Sequence, residues 1–374
     1  MKKNKEFFEN QTGLTGAKIK IFKEYVEGYL PKILIPYKKC FIADFFSGPG
    51  KNGAQNGSPL ILIDRINYIL TSPQLTNKED LKIDILFNDF EEKHISNLKS
   101  EIDKKSFNEN IVNIYITNKS YDSILNAFIT QLSNKKVHKF VFLDPYAYSD
   151  VKVSNLQKLI KLQCIDILLF TPIFHSYRFA NANFAENHKT RMFVEEFTTR
   201  GVADYEDVND YIFSIKEKLE QELSTNYVRP VLLDNGSNKN ALFLITTHPA
   251  GMSLMNKVVL NNTQDGNTVD IKNQNQTFLF NLFETTVLYK NMTDTLVTKL
   301  QEKDLSNEEI VKLSIESLLL PKHAKKIIVD LAKNNRINVV SSNGEDVTNK
   351  SGKWNIAEKI NKTTIFKWVN NEKN

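Results

Sequence analysis

Two hydrophobic periods alternate along the first two-thirds of the chain. Apolar residues at Ile19, Phe22, Val26, Tyr29, Leu30 and Ile33 recur three and four apart, the spacing of one helix face, and Pro36 closes the segment. Then the period changes. Cys40 to Phe46 is a short apolar run ending in a glycine-rich turn, as a parallel strand covered on both faces does. Leu60 to Leu70 is helical in length and spacing. Beyond a polar linker, the apolar runs Ile83 to Phe87, Ile111 to Ile116, Lys139 to Leu143 and Ile165 to Phe170 read as strands. Between them, about Glu91 to Lys105, Tyr121 to Leu132 and Val153 to Leu162 read as helices. Strands that are apolar throughout and alternate with helices predict a parallel sheet with helices on both faces.

The pattern then shifts twice. Phe179 to Leu223 is helical and charged, which predicts an inserted cap. Tyr227 to Leu233 and Ala241 to Thr247 flank a turn at Asp234-Asn235-Gly236-Ser237 and predict an antiparallel edge pair. From about Asp294, three short helical segments (Leu296 to Lys303, Asn307 to Leu319, Lys322 to Asn334) precede INVVSSNG, a polar turn and KWNI. That order resembles a winged helix. The expected fold is α/β: a Rossmann-like, mostly parallel sheet with an antiparallel edge, plus a small C-terminal winged-helix-like domain. Its expected parts are a helical lead-in at 1–36, the Rossmann-like domain at 37–290 with its helical insertion at about 179–223, and the C-terminal domain at 294–374.

Composition narrows this picture a little. The 374 residues are 41% hydrophobic and 25% charged, enough to bury a full core. No run reaches the ~18 apolar residues of a membrane span, and the charged N-terminus lacks a signal peptide's apolar stretch. A soluble, cytoplasmic protein is expected. Two cysteines, Cys40 and Cys164, are too few for a disulfide scaffold or an all-cysteine metal site, and both read as buried thiols. A net charge of +5 permits an anionic partner such as nucleic acid without requiring one.

Three turns carry candidate chemistry. The first is Asp44-Phe45-Phe46-Ser47-Gly48-Pro49-Gly50, where a strand feeds a Gly-x-Gly turn that lets backbone approach a ligand. Its acid suits a cationic or amino-bearing cofactor; a plain tight turn is the alternative. The second is Asp89, just past the second strand, placed for ribose hydroxyls or, equally, to open the following helix. The third is Asp144-Pro145-Tyr146-Ala147-Tyr148. There a carboxylate at a strand's carboxyl end and aromatic walls could receive a planar amine, against a structural turn as the alternative. The six histidines show no metal-ligand spacing, so no metal is expected. No G-x-S-x-G elbow or phosphate-loop lysine occurs.

Taken in order, FFENQTGLTGAKIKIFKEYVEGYL, FIADFFSGPGKNG, GSPLILI, FVFLDPYAY and THPAGMSLMNKVV resemble the three-Cys-motif partner protein family, over residues 5 to 260 and less distinctly beyond. The resemblance implies a class I methyltransferase-like fold, S-adenosylmethionine as cofactor and a three-cysteine-motif protein as partner. It implies no substrate. On it, Asp44, Phe46, Gly48 and Gly50 form the cofactor loop, Asp89 meets the ribose, Ser120 the adenine, and Asp144, Pro145 and Tyr146 form the catalytic side. The chain departs in having Asn118-Lys119-Ser120 where an acid would meet adenine, with Asp122 two residues late. It also lacks an asparagine-rich turn in FTPIFHSYRF. The single-proline DPY turn resembles the DPPY-type turn of amino methyltransferases. Methyl transfer to a nucleic-acid amino group is therefore the expected activity, with Lys322, Lys325, Lys326, Lys333 and Arg336 as candidates for phosphate contacts, against a solvated charged face as the alternative. The competing expectations are a non-catalytic partner subunit and a winged-helix nucleic-acid-binding module.

Overall fold

The computed structural model describes residues 13–133, 136–225, 227–236, 238–263, 265–271, 287–357, 360 and 362–369. Residues 1–12 of the expected lead-in and 272–286 of the expected 37–290 domain lie outside them. The chain divides into two units, Met1–Leu254 with Thr268–Asn275, and Met255–Asn267 with Gln276–Asn374.

The first unit opens with α1 (Leu14–Tyr37), β1 (Lys39–Asp44), the short pair β2 (Lys51–Asn52) and β3 (Gln55–Asn56), α2 (Ser58–Leu70) and α3 (Pro73–Thr76). Then come β4 (Lys82–Asn88), α4 (Glu92–Ile102), β5 (Val112–Thr117), α5 (Tyr121–Leu132), β6 (His138–Leu143), α6 (Val153–Ile160) and β7 (Ile165–Thr171). The unit continues with α7 (Phe174–Arg178), α8 (Lys189–Phe197), α9 (Val208–Leu223), β8 (Tyr227–Asp234), β9 (Lys239–Thr246), the start of α10 (Pro249–Asn262), and β10 (Thr268–Asp270).

Eight strands form one sheet in the order β10-β8-β9-β7-β6-β1-β4-β5. From β5 to β7 all pairings are parallel. Strand β9 runs antiparallel to both β7 and β8, and β10 pairs parallel with β8. The late hairpin thus supplies the antiparallel edge of the sheet, with β9 between β7 and β8 and the three-residue β10 added outside β8. The central strands are mostly apolar because helices cover both faces. On one, Phe22, Tyr25 and Tyr29 of α1 pack their rings on Phe140 and Phe142, at centroid distances of 4.8–6.1 Å. On the other, Phe128 of α5 meets Phe41 and Phe45 edge-on at 5.4 and 5.2 Å. Alternation at period two sends neighbouring residues of one strand to the two faces.

Two expectations need correction. The segment 179–223 supplies α8 and α9, and Tyr211, Ile212, Ile215 and Leu219 of α9 belong to the same core as Ile167, Val228 and Phe243. It covers the sheet rather than capping it. Cys40 is buried, and burial raises its thiol pKa; Cys164 is exposed, because it occupies a left-handed turn (φ 44°) just before β7.

Chain order switches sides at β1: it runs outward to β4 and β5, then returns to β6 across β1. In register, Asp44 lies level with Phe87 of β4 and Phe142 of β6. Asp89 and Asp144 therefore stand two residues beyond that level, one on each side of the tip of β1.

The second unit holds α11 (Val287–Glu302), β11 (Leu305–Ser306), α12 (Asn307–Glu316), α13 (Pro321–Lys333), β12 (Ile337–Ser341) and β13 (Thr364–Trp368), with a sheet ordered β11-β13-β12. Both pairings are antiparallel. Helix α12 starts with a capping box between Ser306 and Glu309. The long connection before β13 is held by buried Trp354, whose indole donates to Val347 O at 2.8 Å, and by buried Asn307, which bonds Lys362 O and Thr364 N. Helix α13 buries Ala324, Ile327 and Ile328 and exposes Lys322, Lys326 and Lys333. Among the described residues no helix is long and apolar enough to cross a membrane.

Candidate cofactor site

Asp44 ends β1 with its carboxylate buried. Ser58, in the first turn of α2, donates through Oγ to Oδ2 at 2.6 Å, and the Phe46 N–H donates to Oδ1 at 3.2 Å. Burial pushes the Asp44 pKa up to about 7, and the nearby Asp144 adds to the rise; the bonds from Ser58 and Phe46, and the charge of Lys18, oppose it. The two glycines of the following loop both have positive φ but serve different ends. At Gly48 (φ 63°) a Cβ would meet nothing within 4 Å, so the loop apex borders open space. At Gly50 (φ 81°) a Cβ would come within 2.9 Å of Leu98 Cδ1, so that glycine lets the loop pack on α4.

Asn88, the last residue of β4, fastens this loop to the next. Its amide donates to Phe45 O at 3.2 Å and Lys119 O at 3.0 Å, while Oδ1 accepts from Thr117 Oγ1 at 2.9 Å and Lys119 N at 3.0 Å. A buried amide with two donors and two acceptor bonds all used fixes three strand tips together.

Asp89 is buried and saturated with donors. Oδ2 accepts from the Gly48 N–H at 2.9 Å and the Tyr146 phenol at 2.7 Å. Oδ1 accepts from the Glu91 N–H at 2.9 Å and faces His94 Nδ1 at 3.1 Å. His94 Nδ1 also lies 3.1 Å from the Tyr146 oxygen. That phenol's hydrogen is committed to Asp89, so both neighbours of Nδ1 are acceptors and Nδ1 carries the hydrogen. Beside Asp89, Phe90 is 69% exposed. Asn118 donates to the carbonyls of Asp89 and Phe90 at 2.9 and 2.8 Å, which leaves its amide oxygen to accept. Ser120 sits exposed at the N-cap of α5, its hydroxyl bonding none of the other candidates.

Past β6, Asp144 Oδ2 pairs with Lys18 Nζ of α1 at 2.5 Å, and that amine lies 4.4 Å from the Phe170 ring centroid. Asp144 Oδ1 has no hydrogen bond to the described residues. Pro145 is buried. Tyr146 is 61% exposed along its ring, yet its hydroxyl reaches across the loop to Asp89, and Phe46 meets the ring edge-on at 6.4 Å. Burial first, then the bond to Asp89, raises the phenol's pKa.

The structure thus gathers Asp44, Phe46, Gly48, Asp89, Asp144 and Tyr146 around one loop apex, and Gly50 supports it from behind. Lys18, Ser58, Asn88, Phe90 and His94 join them without having been singled out in sequence, and so does Asn118, which the sequence marked only as a departure at the adenine position. Lys18 had a signal: it precedes Phe22, Tyr25 and Tyr29 by four, seven and eleven residues, a lysine in line with the buried stripe. Among the described residues no group of three or more His, Cys, Asp or Glu side chains could hold a metal ion. Compared with known proteins, the chain matches no family model and no curated sequence.

Proposed function

We propose that the chain is a cytoplasmic S-adenosylmethionine-dependent methyltransferase of the three-Cys-motif partner type, acting on a nucleic-acid amino group. One observation carries the reading. Asp89, Asp44 and Asp144 stand at the carboxyl ends of the adjacent parallel strands β4, β1 and β6, around an open glycine apex at the point where chain order reverses. The strand order supports it, since a single reversed strand inserted next to the last long strand is the arrangement of the class I fold that the sequence resembles.

The residues fit such a ligand. When bound, S-adenosylmethionine supplies a methyl group on a sulfonium cation. Around Gly48 this chain offers three carboxylates against one lysine, a field that favours a cation. Asp89 fits the ribose by exchange, a ribose hydroxyl replacing the Tyr146 hydroxyl as donor to Oδ2. Phe90 offers an exposed ring to a purine and Asn118 an acceptor oxygen to its amino group. Asp144 Oδ1 is the free acceptor that could orient an incoming amine. The exposed lysines of α13 support a polyanionic partner.

The saturation of Asp89 by protein donors favours a second reading, a non-catalytic subunit that docks a three-cysteine-motif protein. Calorimetric titration with S-adenosylhomocysteine separates the two. Saturable micromolar binding, weakened at least tenfold by Asp44→Ala and by Asp89→Ala, is expected for the methyltransferase. Absence of binding by the folded, full-length chain would overturn the methyltransferase and leave the subunit and the nucleic-acid-binding module.

A further inference from the structure

We infer that Lys18 reads the carboxylate of an S-adenosyl amino acid, with Asp44 and Asp144 receiving its ammonium, so that the site selects ligands carrying an intact α-amino-acid end. The inference rests on the cofactor reading of the same site and adds to it a residue from α1, outside the strand tips.

The argument begins with what the three side chains leave over. Lys18 has three N–H donors; one goes to Asp144 Oδ2, and the amine also lies over Phe170. Donors therefore remain for a ligand oxygen. Asp144 Oδ1 is unbonded by the described residues, and each Asp44 oxygen takes a single hydrogen bond, from Ser58 or from the Phe46 N–H. Acceptors therefore remain as well. With both ionised, two carboxylates facing one ammonium lack one positive charge. A zwitterion supplies the missing cation and brings its own anion to the spare lysine donors. A simple amine would fill the acceptors and leave the lysine without a role, and a bare nucleoside would meet neither.

The placement of Lys18 is itself specified. It shares the stripe of Phe22, Tyr25 and Tyr29, which the rings of Phe140 and Phe142 anchor to β6. Its backbone position is thus fixed by the core, and only the amine reaches the strand ends. Side chains of both partners in the pair are mostly shielded, at 12% and 23% exposure. A charge-assisted hydrogen bond made there keeps a larger share of its strength than one at the surface.

The test is a calorimetric ligand series on the full-length chain: S-adenosylhomocysteine, its decarboxylated analogue, and methylthioadenosine, which lacks the amino-acid end. The unmodified protein should bind the decarboxylated analogue about 30-fold more weakly than S-adenosylhomocysteine, and methylthioadenosine more weakly again. Lys18→Met should bring the first two within about threefold of each other and leave methylthioadenosine unchanged, while Lys18→Arg keeps the preference. The series on the unmodified chain decides the point even if Lys18→Met does not fold. Equal binding of S-adenosylhomocysteine and its decarboxylated analogue overturns the inference and leaves the cofactor reading standing. So does a Lys18→Met variant that weakens all three alike. If none of the three binds the unmodified chain, the cofactor reading itself fails and this inference with it.

Discussion

A single buried carboxyl gives the site a dependence on proton concentration that can be worked out in advance. Burial holds the Asp44 pKa near 7, so in the free protein the group carries a proton at pH 5 to 6. An ammonium ligand favours the ionised form, and binding below that point must expel the proton. Affinity for S-adenosylhomocysteine should therefore climb by up to about tenfold per pH unit from pH 5.5 and level off above about 7. Titrations across that range check it; Asp44→Asn should flatten the curve, and an unaltered slope in that variant would assign the proton to another group. Asp44 was legible in the sequence because an acid inside CFIADFF breaks an otherwise apolar run. Asn88 was not: one amide before Asp89 reads as a strand simply ending, and its four bonds to Phe45, Thr117 and Lys119 depend on three strands lying side by side. Lys18 was hidden for the opposite reason. Helical lysines are common, and only the register of α1 on β6 brings this one to Asp144.

At the level of elements, the turn after β6 behaves differently from a passive wall. Tyr146 carries the turn across the glycine apex to Asp89, occupying with its own hydroxyl the acceptor that a ribose would use. Opening the site then costs about one charge-assisted hydrogen bond, and removing the hydroxyl should return that cost to the ligand. Tyr146→Phe is expected to tighten S-adenosylhomocysteine binding by about five- to tenfold, read by calorimetry. Weaker binding would make the phenol a direct contact instead of a competitor. The strands themselves were readable, since β1, β4, β5, β6 and β7 are short apolar runs between helical periods. The order of β8, β9 and β10 was not. A hairpin signal says which two strands pair with each other, but it does not say which of them faces the existing sheet. The role of α9 escaped for a similar reason: its charged face dominates the sequence, while Tyr211, Ile212, Ile215 and Leu219 enter the core on the other side.

On the scale of the whole chain, positive charge is unevenly spread. Residues 321–336 hold five cations, Lys322, Lys325, Lys326, Lys333 and Arg336, against one acid, Asp330. Helix α13 turns Lys322, Lys326 and Lys333 outward from its buried face, so a duplex laid on it would lose counterions at each contact. Replacing these three by alanine should lower the slope of log affinity against log salt by about three, measured by fluorescence anisotropy on duplex DNA. A slope that does not change would remove α13 from nucleic-acid contact. The sheet of the first unit has a different consequence, one of timing. Strand β9 fills the place between β7 and β8, yet ribosomes deliver it after both. Until residue 246 has been made, β7 stands as a bare hydrogen-bonding border on five finished strands and β8 has nowhere to dock. The nascent protein must carry that sticky flank through the synthesis of some seventy-five further residues, from 172 to 246, before its own chain can seal it.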